Sequence, residues 1–140
     1  MKALTKGTTT SCLSFALFVL LFAGATPQAH HSYADFEDRT VSLDGTIEKI
    51  DFINPHTLIA LRTKDGVHAL IWNAAFQLDR MGVDARALKA GDQLVVTGTP
   101  ARDPASRQLG RLSEVRRPKD GWRWSSNDAG RGPTVTTSSR

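Results

Sequence analysis

The four histidines, His30, His31, His56 and His68, are the side chains in this sequence most suited to holding a transition metal, because neutral imidazole is the commonest protein metal ligand. A chain cut before His30 would offer one ion its new terminal amine and the adjacent rings of His30 and His31. His56 would join them if the lead-in crosses the first turn. Such nitrogen-rich coordination suits Cu(II), with nickel, zinc or another divalent transition metal as alternatives, and it would weaken below about pH 6.5, where free imidazole protonates. The histidines show no paired spacing of the kind found on a ligand-bearing helix. His68 alternates along a strand, where a core or surface role fits. The plainer reading makes His30 and His31 a chain terminus and His56 a turn residue whose ring bonds backbone.

Other reactive combinations are poorer. Ser32, His31 and Asp35 are the residue types of a nucleophilic triad, but a triad is recognised by geometry, and adjacency in sequence does not supply it. Glu48 and Asp51 read as solvated strand positions. No phosphate loop, zinc-binding cysteine set or dinucleotide fingerprint occurs. The arginines at 102, 107, 111, 116 and 117 could form a basic edge, yet the strands lack the interleaved aromatics on which bases stack, which argues against nucleic acid as a partner. The residues therefore favour a non-enzymatic binding module for a peptide, carbohydrate or partner protein. Its face would border the His56 turn, with Asn54, His56 and Trp72 in contact with the ligand. A periplasmic metal-binding protein using His30, His31 and His56 is the alternative.

The elements that would position these groups are mostly strands. From Val41 the chain alternates, with Val41, Leu43, Gly45 and Ile47 on one face and Ser42, Asp44, Thr46 and Glu48 on the other. Apolar parity then switches to Ile50 and Phe52, which predicts an extra residue near Glu48-Lys49 and a bulge that bends the strand. Asn54-Pro55 ends it, because proline cannot donate to a ladder. Thr57–Arg62 and Val67–Trp72 form a hairpin about Lys64-Asp65-Gly66. Asn73 is placed to cap a short helix over Ala74–Met81, which Gly82 closes, and a further helical turn is expected over Asp84–Leu88. Gln93–Thr99 is a fourth strand. Gln108–Arg116 is a fifth, although its apolar residues do not alternate cleanly.

The chain begins with Lys2 and Lys6 and an apolar run of about a dozen residues, Cys12–Ala23, followed by small residues. This is the pattern of a secretory signal peptide over 1–29, and the run is too short for comfortable spanning of a bilayer. Export to the periplasm or beyond follows. The only cysteine, Cys12, falls in that leader, so the mature domain has no disulfide and must rely on its core. Between His30 and Thr99 there are seven Lys/Arg against ten Asp/Glu, a net of −3, whereas Pro100–Arg140 has nine against four, a net of +5. From Pro118 the composition turns to Gly, Ser, Thr, Asp and Arg, so 118–140 is expected to be a basic, mostly disordered tail. Trp122 and Trp124, two apart, would share a face if extended and could staple the tail to the domain.

Three strands, a helix and two strands, with a long kinked first strand, is the order of the oligonucleotide/oligosaccharide-binding (OB) barrel. The fold class is accordingly mainly β: a small five-stranded OB-like closed barrel over 30–117, with a short helix between its third and fourth strands. His30-His31-Ser32-Tyr33, a Gly-Thr-Ile strand core, Ile53-Asn54-Pro55-His56, a tryptophan ending the third strand and Lys89-Ala90-Gly91-Asp92 occur in that order. Together they resemble domain-of-unknown-function family 6152, small exported bacterial proteins, over roughly His30–Arg117. The resemblance implies export and a small β-rich barrel, and it implies no activity.

Overall fold

A closed ring of five strands forms because one strand is long and bent enough to serve two sides of the sheet. In the computed structural model, residues 35–128 and 131–135 are described, and all of them fall within one compact unit, Ser32–Arg140. Strand β1 (Val41–Asp51) pairs antiparallel with β4 (Gln93–Pro100) through its first half and with β2 (Leu58–Thr63) through its second, and only Thr46 takes part in both ladders. The parity switch has the expected cause. Ile47 faces Leu61 and Lys49 faces Ala60, which leaves Glu48 as the extra residue. At Gly45 a side chain is excluded, since a Cβ would lie 2.4 Å from the Arg62 carbonyl oxygen. That close approach allows the two halves of β1 to diverge.

The hairpin of β2 and β3 (Gly66–Ile71) turns at Lys64-Asp65, where the Thr63 hydroxyl accepts from the Asp65 amide at 3.2 Å and donates to the Gly66 carbonyl at 3.0 Å. Closure comes from β5 (Gln108–Arg117), which runs antiparallel to β4 and parallel to β3, with Ala69 opposite Gln108 and Leu70 opposite Leu109. The ring order β1-β2-β3-β5-β4 is that of the OB barrel. Inside it, Ile47, Ile59, Leu61, Leu70, Leu94, Val96, Leu109 and Val115 are essentially solvent-free. The irregular alternation of β5 has a structural reason: Arg111 takes a positive φ of 46°, and between Thr97 and Thr99 the partner residue jumps from Glu114 to Gly110.

Helix α1 (Ala75–Arg80) buries Leu78 into this core and ends at Gly82, with a φ of +77°. Its start departs from expectation. Ala74, rather than Asn73, is at the cap position. The first amides are met from the β1–β2 turn: the Ala75 N–H donates to the Ile53 carbonyl at 3.1 Å and the Phe76 N–H to Asn54 Oδ1 at 3.3 Å. Over Asp84–Leu88 a single turn closed by the Ala87 N–H on the Asp84 carbonyl replaces the expected helical turn.

The sheet continues where a mostly disordered tail was expected. Strand β6 (Trp122–Ser125) pairs with the end of β5, and β7 (Thr134–Val135) pairs with β6. The physical reason is the tryptophan pair. Trp122 and Trp124 are both buried, and the Trp124 ring meets Trp72 edge-on at 5.0 Å between centroids, an arrangement favoured by the ring quadrupoles.

Candidate functional site

The β1–β2 turn and α1 together form an open recess. Phe52 and Asn54 from the turn, and Ala75, Phe76 and Asp79 from the helix, face Asp84 across a shallow groove of about 620 Å³. Because the turn supplies two acceptors to the first amides of α1, turn and helix are held as one surface. Phe76 is 50% exposed and neighbouring Ile53 49% exposed. The Arg80 guanidinium lies 5.6 Å from the Phe76 ring centroid and orders one side of it. Asp84 accepts from Arg86 through both side chain and backbone, and those hydrogen bonds hold its carboxyl below the usual range. Asp79 is exposed and has no ion-pair partner among the described residues.

The residues singled out from sequence are divided by the fold. Asn54 and His56 stand at the same turn, but Asn54 spends its side-chain oxygen on α1. His56 Nδ1 donates to the Trp72 carbonyl oxygen at 3.3 Å. Trp72, expected to contact ligand, is instead only 2% exposed and belongs to the core, where its indole N–H has no hydrogen-bond partner among the described residues. It cannot form part of an accessible face. The nearby Thr57 hydroxyl is likewise buried and unpartnered among those residues. His30 and His31 lie outside the described residues. Among the described residues no group of three or more His, Cys, Asp or Glu is arranged to hold a metal.

The acid pair and the arginine edge also resolve. Glu48 pairs with Arg62, and Asp51 with Lys49 at 2.6 Å, on the solvated side of β1. Arg102 lies 3.9 Å from Asp38, Arg116 3.7 Å from Glu114 and Arg117 2.9 Å from both Asp92 and Asp120, so much of the basic edge is already met by carboxylates. Asp92 is the most buried of these. Burial would raise its pKa, but hydrogen bonds from Lys119, the Lys89 amide and Arg117 outweigh that and hold it below the ordinary value. Sequence reasoning missed Phe76, Ile53 and Asp79 as surface groups. The signal available was an apolar residue just before the Asn-Pro turn and another on a very short helix, more than one small core can bury.

A model for a family of unknown function, DUF6152, matches residues 19–110, well over half of the chain. The chain belongs to this family. In the DUF6152 match fall β1 to β4, α1 and the start of β5, so the groove is inside it and β6 is beyond it. No curated protein matches. Among solved structures, the DUF6152 domain is similar to one described as "Crystal structure of the ZRD-deleted mutant of TiaS in complex with agmatine", at 20% identity and a TM-score of 0.42. That likeness covers 56% of this chain and 21% of the other, about a fifth of its length. Among the described residues no helix is long and apolar enough to cross a membrane.

Proposed function

We propose that this DUF6152 protein is an exported, non-enzymatic binding module that docks a peptide segment of a partner protein in the groove between the β1–β2 turn and α1. The basic start, apolar run and small residues of 1–29 support export to the periplasm or beyond. The docking reading is carried by one observation: Phe76 and Ile53 stand half exposed on a surface whose backbone is tied down by the Ile53 and Asn54 contacts to α1. A pre-ordered apolar surface loses little conformational freedom on binding. Asp79 adds a negative charge at its rim, so the segment that fits carries an apolar side chain for the groove and a basic residue beside it.

Selection of displayed peptides against the purified protein, followed by calorimetry of the enriched sequence, tests this. Phe76→Ala should weaken binding about 3- to 10-fold, because burying the exposed half of this phenylalanine contributes about 0.8–1.5 kcal/mol. Unchanged affinity in that variant, or no enrichment of any sequence, would overturn the assignment. A metal reading gains one support from the structure: a ring whose Nδ1–H is held by a backbone carbonyl, as in His56, is oriented as metal-bound imidazoles commonly are. It calls for saturable Cu(II) binding tighter than about micromolar, weakened by His56→Ala, and the same calorimeter decides it.

A further inference from the structure

At the opposite end of β1 from the groove, the barrel has a mouth with a cavity of about 160 Å³. Its floor is the inward face of the sheet. Val41 and Leu43 continue the inward parity of Ile47, and Leu109 is buried opposite Leu70. His68 shares this face, since it is paired with solvent-free Leu61 and lies two residues from solvent-free Leu70 on the same strand. An imidazole pointing into an apolar barrel is half-buried there, and it has no hydrogen-bond or ion-pair partner among the described residues. A buried polar group ordinarily finds a partner, which makes His68 the group at this mouth with bonding capacity left to use.

Apart from the exposed Gln108, the other polar groups around the cavity are committed, with one exception. Arg39 and Glu37 bind each other, and Asp103 Oδ1 accepts from the Ala105 amide at 2.9 Å. Arg107, the exception, donates to the Asp65 carbonyl, a neutral acceptor, and no carboxylate of the described residues pairs with it. Asp103 and Glu37 balance the two guanidiniums of the lining in number, but Arg107 is held by no carboxylate and stands with the unpartnered imidazole at the rim of an apolar floor. A cavity of about 150 Å³ lined by aliphatic side chains accommodates a molecule of benzene's size.

We propose that this mouth binds a small monocarboxylate with an apolar body of about benzene's size. The apolar body lies on Val41, Leu43 and Leu109, and the carboxylate accepts from the His68 ring and the Arg107 guanidinium. This site is separate from the docking groove and does not depend on it.

Benzoate titrated into the purified protein, followed by calorimetry and by the imidazole resonances of His68 in NMR, tests the proposal. Saturable binding should shift the His68 ring signals, with benzyl alcohol binding at least about tenfold more weakly, because charge-assisted hydrogen bonds are the stronger kind. Arg107→Gln and His68→Leu should each reduce benzoate affinity by about tenfold or more, while Phe76→Ala leaves it unchanged. Absence of saturable binding overturns the proposal. So does equal affinity for benzyl alcohol, or a wild-type complex in which the His68 resonances do not move; this last readout needs no variant to fold.

Discussion

Thr57 and Trp72 show what a residue's type conceals until its neighbours are known. Both are polar-capable groups next to the His56 turn, and both are sealed in the core with a hydroxyl and an indole N–H unpartnered among the described residues. Valine matches threonine in shape and removes the unbonded hydroxyl. Thr57→Val should therefore leave stability unchanged or raise it by about 1–3 kcal/mol, as urea unfolding would report. A loss above about 1 kcal/mol would mean that the hydroxyl does have a partner. At this scale the sequence was legible where a local rule decides. A bulge near Glu48-Lys49 was marked by the parity of the neighbouring residues, and Gly82 as the helix end by its backbone freedom. Asn54 as the cap of α1 was not legible, because the contact spans 22 residues and depends on the fold being closed. Nor was Arg111, where a non-glycine residue takes a left-handed conformation that nothing in its neighbourhood announces.

Among the elements, the turn before β4 and the end of β5 are tied by a buried charge. Asp92 is 1% exposed, with Lys119 and Arg117 bonded to its two carboxylate oxygens. Its folded-state pKa is held below the ordinary 3.8, so its contribution is fully present above that value and is lost as pH falls through the lower folded value. Asp92→Asn leaves two cations facing a neutral amide. Stability near neutral pH should fall by about 3 kcal/mol, the lower end for breaking a buried pair because Lys119 remains half in solvent. Urea unfolding from pH 7 to pH 2 should then show a shallower acid decline in the variant. Parallel decline in the two proteins would remove Asp92 from the account. This tie also explains why Pro118 does not begin a loose tail: Arg117, Lys119 and Asp120 fasten the chain just before β6, and Trp124 then reaches Trp72. Composition pointed to disorder there because Gly, Ser and Arg outnumber the two tryptophans that decide it.

For the molecule as a whole, the barrel could be read from the order of its strands because closure is forced on a small domain without cross-links, which must bury most of its apolar residues. Which side chains around the first turn stay exposed could not be read in the same way. Asn54, His56 and Trp72 cluster in sequence logic, but folding assigns one to a helix cap, one to a carbonyl and one to the core, while the exposed surface falls to Ile53 and Phe76. A groove at one end and a polar-tipped mouth at the other leave the barrel wall as scaffold between the two places proposed for ligands. Hydrogen exchange on the protein with and without its selected peptide is the direct test of docking at the turn and α1. Slowed exchange is expected only at amides of Phe52–His56 and Ala75–Met81, with the mouth around His68 and Gln108 unaffected. Protection at the mouth, or spread evenly over the strands with none at the turn and α1, would contradict it.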